Sequence, residues 1–147
     1  MKILRSLLAG LTGAIALNVV HEIVRRIDKD APQVQLIGEE AITKSMKKMG
    51  TQPPKGLKLY LVTLAGDVIS NALYYSLIGV GNKKSSLFRG AAQGALAGMG
   101  ALGLTKPMGL NDTPVTKTNK TKAMTIGWYT LGGLITTLVL KQLSKRA

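Results

Sequence analysis

Asp67 is the residue whose position most strongly indicates chemistry, because it is the only acidic side chain within the apolar blocks of the chain. An ionised carboxylate inside a bilayer costs about 2.5–3.5 kcal/mol on insertion scales, so it must be paired, hydrated or protonated. One interpretation is a carboxylate that binds a proton or a cation in a polar path across a membrane. The other is a structural hydrogen bond that joins two helices.

Polar side chains recur at helical spacing on both sides of this position. One face of the first predicted helix carries Gly10, Ala14, Asn18, Glu22 and Arg25, with His21 beside them. One face of the second carries Thr63, Asp67, Asn71 and Tyr74. The first helix ends on the membrane side where the second begins, so Asn18 and Asp67 lie within about 3 Å of each other in depth. We therefore predict one polar intramembrane cluster, made of Asn18, His21, Glu22, Asp67, Asn71 and Tyr74.

The same residues leave a metal site as an alternative. His21, Glu22 and Asp67 are ligand types for iron or zinc, but the repeated Glu-x-x-His motif of di-iron bundles is missing. Pairing of Glu22 with Arg25 or Arg26 explains these residues equally well. We expect no metal and no cofactor. Since no catalytic triad, carboxylate pair or nucleotide fingerprint is present, we assign no catalytic residue and favour a protein that is not an enzyme.

Glycines at four-residue spacing form a second pattern. Gly90, Gly94 and Gly98 make two overlapping G-x-x-x-G steps, which let helix backbones approach closely in lipid. A phosphate-binding loop is excluded because the Lys-Ser/Thr ending is missing. We predict a helix-packing face, either within the chain or between chains.

The helices that position these residues can be predicted because charged and apolar residues occupy separate parts of the sequence. The 147 residues carry a formal charge of +13, yet mean hydropathy is +0.18. A bilayer core requires about 20 helical residues, and the apolar blocks predict transmembrane helices at residues 3–24, 59–81, 88–105 and 123–141. All five prolines lie outside the blocks. The predicted fold is an all-α, polytopic integral membrane protein, one domain with four transmembrane helices in a bundle.

Two further segments are less regular. An amphipathic helix is predicted at residues 31–49, capped by Asp30 with Pro32 in its first turn, on the membrane surface or against the bundle. A solvated helix is the alternative. The first apolar block also resembles a signal peptide, with the A-x-A pattern at residues 14–16, but its helical periodicity continues through Arg25 and favours a retained helix.

Partners and orientation follow from the Lys and Arg residues outside the blocks. Twelve lie on the side of the two long loops and eight on the side of the termini. The total number of Lys and Arg residues places the two long loops in the cytoplasm, whereas the density of these residues places the termini there. The two criteria therefore favour opposite orientations. Since these residues flank membrane spans, we expect them to contact anionic lipid headgroups rather than nucleic acid.

Three functions remain open. The glycine faces favour a helix-packing or assembly subunit in a bacterial inner membrane, as a homo-oligomer or with another membrane protein. The alternative is a small channel or transporter in which Asp67 binds a proton or cation. A lipid-handling enzyme at the interface is the third.

Overall fold

The computed structural model describes residues 2–80 and 87–145, and this part of the chain is helical without strands. The helices are α1 (Lys2–Ile27), α2 (Val34–Lys48), α3 (Gly56–Ser76), α4 (Leu87–Gly103), α5 (Thr113–Thr116) and α6 (Asn119–Lys145), and a 3-10 turn, Leu77–Gly79, extends α3. The all-α prediction is confirmed. The last residue of the predicted second span, 81, and the connection at residues 82–86 lie outside the described residues.

Within residues 2–80 and 87–145, three helices are long and apolar enough to cross a membrane: α1, α3 with its 3-10 turn, and α6. The fourth predicted span corresponds to α4, which has 17 residues. At 1.5 Å per residue it is about 26 Å long, slightly less than a hydrocarbon core of about 30 Å.

Large apolar side chains lie on the outside of the helices and threonines on the inside. Ile3, Ile69 and Phe88 are 73%, 61% and 82% exposed. Buried positions of α6 instead include Thr121, Thr125, Thr136 and Thr137. A soluble domain buries its large hydrophobic residues, so this inverted arrangement is consistent with a lipid environment.

Helix α4 packs along α6 through glycine. Gly90, Gly94 and Gly98 are all buried. A Cβ atom on Gly94 would lie 2.4 Å from the carbonyl oxygen of Tyr129, and one on Gly98 would lie 2.6 Å from Cα of Ile126. The predicted close-packing face is therefore used within the chain, between α4 and α6.

Helix α1 lies between α3 and α6 and runs antiparallel to both. A Cβ on Gly10 would lie 2.3 Å from the Ala72 carbonyl oxygen of α3. A Cβ on Gly13 would lie 2.5 Å from the Gly132 carbonyl oxygen of α6. The end of α1 and the start of α3 thus meet at one end of the bundle. We call this the loop end, because residues 28–55 and 104–118 lie there.

Helix α2 covers the loop end and packs against α3, where Gly38 contacts the side chain of Thr63. It begins at Val34, so the predicted start at residue 31 with Asp30 as cap is wrong. The preceding residues have another role: Ala31 is buried, and the carbonyl oxygen of Asp30 accepts a 2.7 Å hydrogen bond from the Thr121 hydroxyl. Tertiary packing at the start of α6 therefore keeps this segment out of the helix.

Candidate intramembrane binding site

A cavity of about 520 Å³ lies at the loop end of the bundle, beneath α2. Its walls come from α1, α2, α3 and the end of α4, with Tyr129 of α6. Its polar and charged lining side chains include Asn18, His21, Glu22, Arg25, Gln35, Tyr60, Thr63 and Asp67. Four of the six residues in the predicted cluster therefore line one cavity.

Asp67 lies in the middle of α3 with amide groups close to its carboxyl group. Asn71, one turn further along the same helix, donates a 3.0 Å hydrogen bond from Nδ2 to Oδ1 of Asp67. The Asn18 side chain of α1 also faces this carboxyl group, while its Nδ2 donates to the Ala14 carbonyl oxygen at 3.0 Å. Among the described residues, no basic side chain forms an ion pair with Asp67. Its charge is therefore not neutralised from within the described chain.

Glu22, the other carboxylate in the cavity wall, is fully engaged. Arg25 donates to it from Nε and Nη2 at 2.7 and 2.8 Å. Arg26, the next residue, donates a further hydrogen bond to the same carboxylate from its Nη2. The hydroxyl of Tyr60 completes the set at 3.0 Å, and the Arg25 guanidinium lies 5.8 Å from the centre of the Tyr60 ring. This cluster joins the end of α1 to the start of α3.

The imidazole ring of His21 lines the cavity and has few polar neighbours. The ring packs edge-to-face on Tyr129, with centroids 6.0 Å apart. Neither ring nitrogen has a hydrogen-bond partner within the described chain, although the Pro32 carbonyl faces the ring. The Thr63 hydroxyl is likewise shielded and unpartnered among residues 2–80 and 87–145. Since buried polar groups are normally hydrogen-bonded, these atoms indicate a place for water or a ligand.

Tyr74 and Asn71, the other two residues of the predicted cluster, do not line the cavity. The Tyr74 hydroxyl donates to the Gln93 carbonyl oxygen of α4 at 2.8 Å, and Gln93 Nε2 donates back to the Tyr74 carbonyl oxygen at 2.8 Å. Tyr74 therefore joins α3 to α4. Asn71 acts on the site only through Asp67.

Sequence reasoning did not predict the contributions of Tyr60, Tyr129 and α2 to the cavity. Tyr60 has a signal at the start of the second apolar block, where an aromatic residue is typical of an interface. Tyr129 follows Thr125 and precedes Gly133 at four-residue spacing, a small and polar face of α6. No signal in the sequence places α2 over the cavity.

Toward the termini the cavity is closed by side chains. Leu17, Tyr75 and Ile78 are at most 1% exposed and belong to one packed cluster with Tyr129. The cavity therefore ends inside the bundle. Within the described ranges, no group of three or more His, Cys, Asp or Glu side chains could hold a metal ion.

Comparison of the chain with protein-family models, curated proteins and solved structures found no match. Function must therefore be argued from the cavity itself.

Proposed function

We propose that the protein is a small membrane carrier for protons or small cations, with Asp67 as the binding group. The observation that carries this proposal is a cavity with a carboxyl group that no described basic side chain neutralises. Glu22 does not compete for a cation because Arg25 and Arg26 already bind it. Intramembrane carboxylates of this kind commonly mark ion or proton pathways.

A carrier is preferred over a channel because the cavity has no continuation past the packed cluster of Leu17, Tyr75 and Ile78. Transport would require a second arrangement in which access from the loop end is exchanged for access from the other end. An assembly subunit ranks below the carrier, since Gly90, Gly94 and Gly98 face α6 and are not free to pack against another chain.

The proposal includes four membrane spans. Helix α4 lies antiparallel to α6 over the stretch from Gly90 to Gly98, which supports a crossing parallel to the membrane normal. Both termini would then lie on one side and the loop end on the other. In a bacterial inner membrane, the exposed Lys47 and Lys48 of α2 would contact anionic headgroups.

Flux in proteoliposomes tests the carrier. The purified protein is reconstituted with a pH-sensitive dye inside, and proton, potassium and ammonium gradients are applied in turn. We expect faster dissipation of at least one gradient than in empty liposomes, and Asp67→Asn should reduce that rate about tenfold, the effect of 1.4 kcal/mol.

Asp112→Asn is the matched control, because it removes the same charge from a loop residue that does not line the cavity. It should transport like the unmodified protein. Rates equal to those of empty liposomes for all three gradients, or an Asp67→Asn variant as fast as the unmodified protein, would overturn the proposal.

A further inference from the structure

We infer that the ligand of the cavity is a lipophilic amine in its protonated form, with the ammonium group at Asp67 and the apolar body beneath α2. This inference rests on the proposed function, since it uses the same cavity, and it specifies the chemical class of the cation.

The cationic side chain in the cavity wall, Arg25, is already paired with a carboxylate. Arg25 and Tyr60 direct their hydrogen bonds to Glu22, with the Tyr60 hydroxyl 3.0 Å from Oε2. The amide nitrogen of Asn18 donates to Ala14, and that of Asn71 donates to Asp67. An anionic ligand such as a carboxylate or phosphate would therefore have to compete with Glu22 for Arg25.

Acceptors, in contrast, retain capacity. An ionised carboxylate offers about four lone-pair sites, and the amide groups of Asn71 and Asn18 fill at most two of those on Asp67. The Thr63 hydroxyl has no partner among the described residues, and the Asn18 carbonyl oxygen can accept while its nitrogen donates. Three N–H bonds of a primary ammonium match this surplus of acceptors.

The remaining wall matches an apolar body rather than a bare ion. Helix α2 contributes Val34, Ile37, Ala41 and Ile42 to the lining, and α3 contributes Leu64. The volume of about 520 Å³ falls within the range of small-molecule sites, about 300–1,000 Å³. A hydrated Ca²⁺ or Mg²⁺ would need about six oxygen ligands, more than the single free carboxylate provides. The Tyr129 ring adds an aromatic surface of the kind that attracts ammonium groups.

Binding of three probes with one carbon skeleton tests the inference. Calorimetry on the purified, full-length protein in neutral detergent compares 3-phenylpropylamine, 3-phenylpropanol and 3-phenylpropionate at pH 7. We expect saturable binding of the amine, with the alcohol and the acid at least about tenfold weaker, or 1.4 kcal/mol. Asp67→Asn should weaken amine binding by a similar factor.

A pair of glycine variants separates binding in the cavity from partition into the micelle. Gly66 lines the cavity and has no atom within 4 Å of an added Cβ, so Gly66→Leu adds a large side chain at the cavity wall without a clash at Cβ. Gly127 of α6 has the same free space but lies outside the cavity lining. Gly66→Leu should abolish amine binding, and Gly127→Leu should retain it.

Preferential binding of the acid or alcohol, or amine binding that survives Gly66→Leu, would overturn the inference. Asp67-dependent proton flux in liposomes without amine binding would overturn it too, and would leave the carrier proposal intact. Amine binding that depends on Asp67 and Gly66, with no flux of any cation, would contradict the carrier and support the amine site.

Discussion

The hydroxyl of Tyr75 donates a 2.7 Å hydrogen bond to the backbone carbonyl oxygen of Tyr129, across the contact between α3 and α6. Tyr75 is completely buried, and a Cβ at position 132 would lie 2.5 Å from its hydroxyl oxygen. The ring is accommodated because Gly132 has no side chain. This contact lies directly beyond the cavity, on the side of the termini.

Tyr75→Phe should destabilise the bundle by about 1 kcal/mol, the ordinary net value of a buried hydrogen bond, or somewhat less if membrane-protein averages apply. The free energy of unfolding in mixed micelles, measured by denaturant titration, checks this. Thr130→Val is the control, because the Thr130 hydroxyl bonds only to the Ile126 carbonyl of its own helix. Equal losses in both variants would contradict a specific role for the contact between α3 and α6.

Gly94→Ala should lower stability by about 1–3 kcal/mol, the usual cost of overpacking a core. The new Cβ would meet the Tyr129 carbonyl oxygen and Cα of Thr130 at 2.4 and 2.7 Å, and backbone atoms cannot rotate away. Gly100→Ala in the same helix meets only Cδ1 of Leu104, at an ordinary 3.7 Å. Thermal unfolding in detergent should show a lower midpoint for Gly94→Ala alone, and coincident midpoints would refute close packing of α4 on α6.

Glu40 holds α2 to the loop between α4 and α5, and this attachment should depend on pH. Its Oε2 accepts the backbone N–H of Asn111 at 2.9 Å, and its Oε1 pairs with Lys44 at 2.7 Å. Lys44, followed by the Asn111 N–H, lowers the pKa of Glu40 below its ordinary value. The attachment therefore contributes its full stability above about pH 4.3, the unfolded value, and loses it as pH falls through the lower folded pKa.

The corresponding measurement compares thermal midpoints of the unmodified protein and Glu40→Gln at pH 7 and pH 3. We expect Glu40→Gln to melt lower than the unmodified protein at pH 7 and the difference to become smaller at pH 3. Glu39→Gln removes the same charge one residue earlier and is the control for net charge. A difference of the same size at both pH values would show that the carboxylate of Glu40 is not responsible.

Membrane topology distinguishes four spans from three, and the chain contains no cysteine to interfere with labelling. Single variants Thr51→Cys, Lys106→Cys and Ser144→Cys are exposed to a membrane-impermeant maleimide in intact and opened vesicles. With four spans, Thr51→Cys and Lys106→Cys should label from one side and Ser144→Cys from the other. If α4 did not cross, Thr51→Cys and Ser144→Cys would share a side, and Lys106→Cys would lie opposite.

The helices could be predicted because an apolar stretch of sufficient length has few alternatives in lipid. The start of α2 could not be predicted, since the Asp30 carbonyl is bound by a residue of α6 and Ala31 is buried. The carbonyl of Asp30 is bound by Thr121, which lies 91 residues away in sequence. A local capping pattern carries no information about such a contact.

The candidate site was partly predictable for a similar reason. Helical period and common depth are local properties, and they bring Asn18 and Asp67 into one cavity. Tyr74 lies on the same predicted helix face as Asp67, yet the Gln93 carbonyl oxygen of α4 accepts a hydrogen bond from its hydroxyl and keeps it out of the cavity. The hydrogen-bond partner of a polar side chain depends on which helix packs beside it. The helical spacing of polar residues within one segment does not specify that neighbouring helix.

The buried threonines of α6 have a consequence for how the protein enters a membrane. Thr125, Thr136 and Thr137 donate their hydroxyls to the carbonyl oxygens of Thr121, Gly132 and Gly133, each one turn earlier in the same helix. Their polar groups are therefore satisfied before any other helix arrives. In α3, Asp67 and Asn71 are paired in the same way. If these helices cross a membrane, the hydroxyl groups of these threonines need no partner from another helix during insertion, and helix association can follow as a separate step.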